Sequence, residues 1–154
     1  MENRKVILYI STSVDGFIAT EDDDLSWLSV VQGSGEDYGY HELEKQIDTY
    51  IVGRRTYDVI KKLTGGTLPQ VEKFECYVIT RQPGLADPNV NFYSGEIEDL
   101  IKELKSKPGK HIYCDGGGQI VQLLMQKNLI DEYIISVIPI MLGSGKRLFI
   151  GGMP

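Results

Sequence analysis

The chain has 154 residues, of which 42% are apolar and 25% charged, and its formal net charge is -6 at pH 7. This length holds one domain with a real core and is too short for two of ordinary size, while the composition excludes a disordered or collagen-like chain. The acidic balance argues against broad attraction to nucleic acid or to an anionic membrane, so no partner of either kind is expected.

No apolar run is long enough to span a bilayer, and the start MENRKVILYIST lacks the length and the small-residue cleavage site of a signal peptide. A cytoplasmic location is therefore expected. In chain order, KVILYIST reads as a buried strand from its continuous apolar run, followed by STSVDGFIA and by DLSWL, which holds Trp27. The stretch VVQGSGED reads as a flexible loop before a helix over about residues 37 to 47. DTYIV is the next strand and turns at Gly53 into a helix from about Arg54 to Leu63, closed by Gly65 and Gly66. FECYVIT is another strand, ending in Thr80 and Arg81. IEDLIKEL places Ile97, Leu100, Ile101 and Leu104 on one helical face, with Ser94 as candidate N-cap and KPGK as the stop. HIYC is a strand that runs into Gly116, Gly117 and Gly118; a helix from about Gly117 should bury Ile120, Leu123 and Leu124. EYIISVIPI is the last strand.

Strands that alternate with helices define an α/β domain. Cys76 and Cys114 lie among apolar neighbours and read as reduced, buried strand residues. His111 and Cys114 point to opposite faces of one strand, so no metal site is expected.

Three strand-to-helix junctions share a character. VGRRTYDVI opens a helix with two arginines and a threonine, VITRQ ends a strand in Thr80 and Arg81, and CDGGGQIV ends one in three glycines. Ligands of open α/β sheets bind beyond the carboxyl ends of the strands, where helix N-termini present unpaired N–H groups and partial positive charge. Glycine lets the backbone approach such a ligand closely. The combination favours a ligand with several phosphates. The duller alternatives are plain turns for the glycines and solvated surface charges for Arg54, Arg55 and Arg81. Two familiar glycine motifs fail. A dinucleotide fingerprint from Gly116 needs a third glycine where Val121 stands, and MLGSGKRLF has Arg147 after Lys146 where a phosphate loop needs serine or threonine.

Taken in order, VGRRTYDVI, VITRQ and CDGGGQIVQLLM resemble the NADPH-binding elements of the dihydrofolate reductase superfamily. STSVDGFIA and LIDEYIISVIPIMLGSGKRLF narrow the resemblance to the reductase half of the bifunctional riboflavin-biosynthesis deaminase/reductase and its stand-alone bacterial relatives. The resemblance covers nearly the whole chain. It implies a three-layer α/β/α fold with a mostly parallel sheet, here without the final strand pair of related chains, and a homodimer covering the sheet edge. It implies NADPH as cofactor. Gly53, Arg54, Arg55 and Thr56 would meet its pyrophosphate and 2′-phosphate, Thr80 and Arg81 would lie near the 2′-phosphate, and Gly116, Gly117, Gly118, Gln119 and Ile120 would run beneath the pyrophosphate and nicotinamide ribose. Asp37, sixteen residues before Gly53, falls at the family's carboxylate position and is the candidate acid; from the residues alone it reads equally as a helix N-cap. Asp15, Trp27 and Ser136 would border the substrate, although Trp27 is also an ordinary core residue.

The implied activity is NADPH-dependent reduction of a small heterocyclic or ribosylaminopyrimidine substrate, in the manner of a 5-amino-6-(5-phosphoribosylamino)uracil reductase. Val121 stands where dihydrofolate reductases carry an aromatic residue, and the loop from Trp27 to Asp37 is longer than theirs, which points away from folate. A dihydrofolate or pterin reductase is the alternative within the class. An NADPH-binding protein without catalysis is the alternative outside it.

Overall fold

The computed structural model describes residues 4–22, 24–31, 38–82 and 87–149. Six strands form one sheet: β1 (Val6–Ser13), β3 (Ile47–Gly53), β4 (Glu75–Ile79), β5 (Asn91–Tyr93), β6 (His111–Cys114) and β7 (Glu132–Ile138). Their spatial order is β5-β4-β3-β6-β1-β7, and every pairing is parallel. Two short strands, β2 (Phe17–Ala19) and β8 (Lys146–Arg147), form a separate antiparallel pair.

Helices cover both faces, as parallel strands require. On one face α1 (Tyr40–Gln46) and α2 (Arg54–Leu63) pack Leu43, Tyr57 and Ile60 against Tyr50, Val52, Cys76, Val78 and Tyr113. On the other, α3 (Ile97–Ser106) and α4 (Gly118–Gln126) pack Ile97, Leu100, Ile101, Leu104 and Leu124 against Val6, Ile51, Ile112 and Cys114. The central strands are apolar on both faces because both are covered. The expected three-layer α/β/α architecture is what forms.

Some boundaries differ from expectation. Ser94 does not cap α3: the N-cap is Glu96, with no side-chain bond, and Glu98 and Asp99 offset the positive helix end instead. The first described turn of α1 begins at Tyr40, behind Gly39 in the left-handed region. The two 3₁₀ turns, Ser26–Val30 and Pro69–Glu72, and the strands β2, β5 and β8 are too short to show a period in the sequence.

One buried cation holds the amino end of the sheet, opposite the strand ends where ligands bind. Arg4 is only 6% exposed. Its Nε donates to the Lys110 carbonyl at 2.6 Å, Nη1 to the Leu104 carbonyl at 2.6 Å, and Nη2 to Asp48 Oδ1 at 2.6 Å and Thr49 Oγ1 at 2.8 Å. One guanidinium thus ties the chain before β1 to the start of β3, the end of α3 and the approach to β6. Removing it strands buried carbonyls and a carboxylate together. Arg4→Ala should cost about 3 kcal/mol of unfolding free energy, seen as a lower urea midpoint at an unchanged slope.

Candidate active site

At the carboxyl end of the sheet the β3–α2 and β6–α4 junctions touch. The Gly53 amide donates to the Gly116 carbonyl at 2.7 Å, and the Asp115 amide to the Ile51 carbonyl at 3.0 Å. A Cβ on Gly53 would stand 2.9 Å from Ile120 Cγ1 and 3.4 Å from the Gly116 oxygen. One on Gly117 would stand 3.2 Å from Thr56 Oγ1. Gly116 is buried with φ +100, which favours glycine, and its peptide to Gly117 is cis. Gly53, Thr56, Gly116, Gly117 and Ile120, distant in sequence, therefore form one cradle. Gln119 lies exposed on the first turn of α4.

Gly118 has a neighbour of its own. Its Cβ would fall 2.5 Å from the Arg147 carbonyl oxygen, so the β8 backbone lies directly against the start of α4. The segment MLGSGKRLF, though no phosphate loop, is thereby built into the rim of the cradle. Arg147 holds its guanidinium carbon 4.9 Å from the centre of the Phe17 ring.

The two helices that open here differ from α3 in one respect: like it they lack an N-cap side-chain bond, but neither α2 nor α4 has an acid in its first turn. The positive helix end of α2 instead meets Arg54 and Arg55, which is unfavourable unless an anion sits between them. Arg54 Nε reaches both Asp58 oxygens, at 3.0 and 3.1 Å, while its buried Nη1 has no hydrogen-bond partner. Because β4 pairs Ile79 with Gly53, Thr80 and exposed Arg81 stand beside the same corner. Thr80 is buried, and its hydroxyl accepts from the Gln82 amide at 3.1 Å. An uncapped helix pair, a cradle without Cβ atoms and an orphaned guanidinium N–H suit a polyphosphate.

The residues expected on the substrate side are scattered. Trp27 is 7% exposed in its 3₁₀ turn, with its buried indole N–H unpartnered. Ser136 pairs in register with Ser11 and shares the α1 face of the sheet with Ile134. Asp37 lies outside the described residues. Asp15 works within the protein: its Oδ1 accepts from Ser13 Oγ at 2.6 Å and from the Leu142 amide at 3.1 Å, and its Oδ2 from the Gly143 amide at 2.8 Å. The Ser13 hydroxyl foremost, then those two amides, hold its carboxyl down at about 2. Asp15 is thus the clasp between the β1–β2 turn and the 141–145 loop.

A carboxylate that carried no role in the sequence occupies the centre of this end. Asp115, between β6 and Gly116, is half-buried and receives Tyr50 Oη at 2.6 Å and Tyr113 Oη at 3.0 Å, one on each oxygen. Burial pushes its carboxyl up to about 6 against the pull of these two donors. Its two donors belong to a cluster of edge-on and tilted rings, Tyr9, Tyr40, Tyr50 and Tyr113, with neighbouring centroids 5.2 to 6.4 Å apart. Tyr50 and Tyr113 face each other only through the β3–β6 register, so CDGGG alone discloses a turn and not a site. Cys76 and Cys114 are buried and free, with burial pushing each thiol up to about 12. Among the described residues no cluster of metal-ligating side chains occurs, and no helix is long and apolar enough to cross a membrane.

This combination of a parallel doubly covered sheet with a glycine cradle at its carboxyl end is that of a dihydrofolate reductase-like domain. The model of the RibD C-terminal domain matches residues 4–154, and the chain belongs to that family. Among its relatives, the uncharacterized protein YwjB of Bacillus subtilis (strain 168) is 42% identical over 147 residues, which cover 95% of this chain and 83% of YwjB. YyaP of the same organism, also uncharacterized, is 29% identical over 163 residues, covering 97% and 82%. A crystal structure from Shewanella sp. PV-4, of a protein assigned provisionally to riboflavin biosynthesis, superposes with a TM-score of 0.83 at 31% identity, over 97% of this chain and 84% of that one. Dihydrofolate reductase from Enterococcus faecalis, complexed with NADP(H) and RAB-propyl, shares the fold, with a TM-score of 0.66 at 16% identity over 94% of this chain and 76% of that one.

Asp15→Ala should release the 141–145 loop, read as faster hydrogen exchange at the Leu142 and Gly143 amides. Since the folded carboxyl lies below its ordinary value, its stabilising effect is present above about pH 4 and is lost as pH falls toward about 2; amide protection in the parent protein should weaken over that window. Gly118→Ala forces β8 off α4 and should lower stability by about 1–3 kcal/mol, measured as a fall in melting temperature.

Proposed function

We propose that the protein is an NADPH-dependent reductase of a small heterocyclic or ribosylaminopyrimidine substrate, with 5-amino-6-(5-phosphoribosylamino)uracil as the first compound to try. The observation that carries this reading is the contact of the two glycine junctions at Gly53 and Gly116–Gly117, beside three arginines, at the sheet's carboxyl end. Membership of the RibD C-terminal family supports it.

Under this reading the amides opening α2 and α4, with Thr56, hold the pyrophosphate, and Gly117 keeps the space in front of Thr56 free. Arg54, Arg55 and Arg81, beside Thr80, hold the 2′-phosphate, for which arginine's planar fork is suited. When bound, the dinucleotide supplies a hydride. The chain's own share is orientation, worth a large fraction of a barrier of this kind, exclusion of water and the management of one proton. The α1 face of the sheet, with Ser136 and the tyrosine cluster, is the substrate side.

Fluorescence titration of the purified protein with NADPH and, in parallel, NADH tests the cofactor assignment. Selective binding of NADPH is expected, and no binding of either would overturn it. Arg81→Ala should weaken NADPH roughly tenfold or more, since a charge-assisted hydrogen bond contributes about 1.5–3 kcal/mol, and should leave NADH within about twofold. Equal weakening of both would show that Arg81 does not read the 2′-phosphate.

A further inference from the structure

Charge is divided between the two sides of the carboxyl end. All sixteen lysines and arginines of the chain lie within the described residues, so every one of them has a place in the fold. In a parallel sheet the cations that precede a strand or close a helix, such as Arg4, Lys5, Lys45, Lys73, Lys110 and Lys127, belong to the amino end. In the last turn of α2, Lys61 donates to Tyr57 Oη at 3.1 Å and pairs with Asp87, while Lys62 lies on the outward stripe with Arg55 and Asp58. The cations that reach the carboxyl end are Arg54, Arg55 and Arg81 at the β3–β4 corner, and Lys146 and Arg147 on β8. Under the reductase reading the first three hold the cofactor. The last two belong to the α4 face, because the Arg147 backbone lies against Gly118 and Leu148 packs with Leu8 and Val121.

The α1 face at this end is built of neutral groups rimmed by acids. Ser11 and Ser136 stand side by side in register on β1 and β7, both half-buried, and neither hydroxyl makes a hydrogen bond among the described residues. Burial raises Tyr40, Tyr50 and Tyr113, so these phenols stay uncharged. His41, exposed on the first turn of α1, is the one base that α1 sets at this end. Against it stand Asp115 before the cradle, Asp15 held as an anion, and Glu21, Asp22 and Asp24 on an exposed turn. That turn links β2, whose Ile18 Cδ1 is 3.7 Å from the place of a Gly117 Cβ, to the 3₁₀ turn of Trp27. It is fixed by Asp24, whose amide donates to Thr20 Oγ1 at 2.9 Å and whose carboxylate accepts from the Ser26 amide at 3.1 Å and hydroxyl at 2.7 Å.

A phosphate or carboxylate is held by charge-assisted donors, above all by arginine and lysine, and this wall presents hydroxyls, phenols and carboxylates instead. Seating a phosphate dianion here strips its water without supplying a cation and sets it against carboxylates of its own sign. A neutral ring meets neither cost: its polar edge bonds to the hydroxyls and its faces pack on the aromatic rings. We propose that the substrate is an uncharged planar heterocycle without a phosphate or carboxylate arm, and that the acidic rim turns away the anionic form of the same ring. This rests on the reductase reading above and narrows it to the small heterocyclic branch, where the phosphate-bearing ribosylaminopyrimidine is the disfavoured member of its pair. Repulsion serves here as well as attraction, because specificity is a difference between two affinities. The arginine corner takes the anionic cofactor, and the acidic rim keeps a second anion from the substrate side.

The test uses two pairs of probes that share a ring system and differ in its arm. One pair is 5-amino-6-(5-phosphoribosylamino)uracil and the same compound without its phosphate; the other is dihydrofolate, whose arm ends in carboxylates, and dihydrobiopterin, whose arm is neutral. Isothermal titration calorimetry of each probe into the NADP⁺-saturated protein reads affinity without turnover, and NADPH oxidation reads kcat/KM. In each pair that binds, the uncharged member should be favoured roughly tenfold or more, the worth of a charge-assisted hydrogen bond that the wall does not supply. Two changes should narrow the gap severalfold by improving the anionic member alone. One is raising the salt from about 0.05 to about 0.5 M, which screens exposed charges. The other is the double substitution Glu21→Gln with Asp22→Asn on the exposed turn, checked first by circular dichroism. An anionic member that binds as tightly as its neutral counterpart, or more tightly, overturns the assignment. So does a gap that neither salt nor the double substitution moves, because size and not charge would then be what the site selects. A protein that binds NADPH and none of the four probes overturns the substrate class while leaving the cofactor site standing. One that binds no NADPH takes down the reductase reading itself, and the substrate class with it.

Discussion

The hydrogen bond from the Gly53 amide to the Gly116 carbonyl, 2.7 Å long, is the contact on which the site depends. It exists because β6 inserts beside β3 in the sheet although α2, β4, β5 and α3 lie between them in the chain. With the junctions so close, a methyl group on Gly53 would run into Ile120. The same closeness brings the uncapped starts of α2 and α4 side by side and sets Thr56 against Gly117. Two helix ends pointing positive charge at one space are costly without an anion there. The arrangement makes sense as a receptor whose electrostatics are completed by what it binds.

The two ends of the sheet divide stability from recognition. At the amino end Arg4 spends every nitrogen of its guanidinium inside the protein. At the carboxyl end Arg54 leaves a buried N–H without a partner and Arg81 is exposed. The same side chain, with the same fixed fork, is a rivet in one place and an open hand in the other. On a chain of net charge -6, gathering cations at one corner confines attraction for anions to that corner instead of spreading it over the surface.

The sequence disclosed what depends on period and on chain-local glycine. The five long apolar strands and α2, α3 and α4 were legible because both faces of a parallel sheet must be apolar and because each helix buries one stripe. The β2–β8 pair was not, since two or three residues carry no period and their pairing is between distant segments. The cradle glycines were legible as a set, yet the reason for Gly118 was hidden: it is the Arg147 backbone, contributed by a segment that had been rejected as a phosphate loop. Ser94 misled because a capping residue is recognised by a side-chain bond that here is not made.

Carboxylates show most clearly where one-dimensional inference stops. Asp15 and Asp115 both stand next to glycine at the end of a strand, and a string of letters gives them equal standing. Three donors, two of them main-chain amides, fix Asp15 as an anion far below neutrality. Asp115 receives only two phenols, from neighbouring strands, and burial raises its carboxyl to about 6 against their pull. The difference lies in which groups the β3–β6 register and the 141–145 loop deliver to each oxygen, and register is a property of the folded sheet. A carboxylate whose lone pairs are filled by main-chain amides is held as an anion, whereas one held by two hydroxyls in a desolvated place is drawn toward its protonated form. Environment, and not residue type or adjacency to glycine, separates the two.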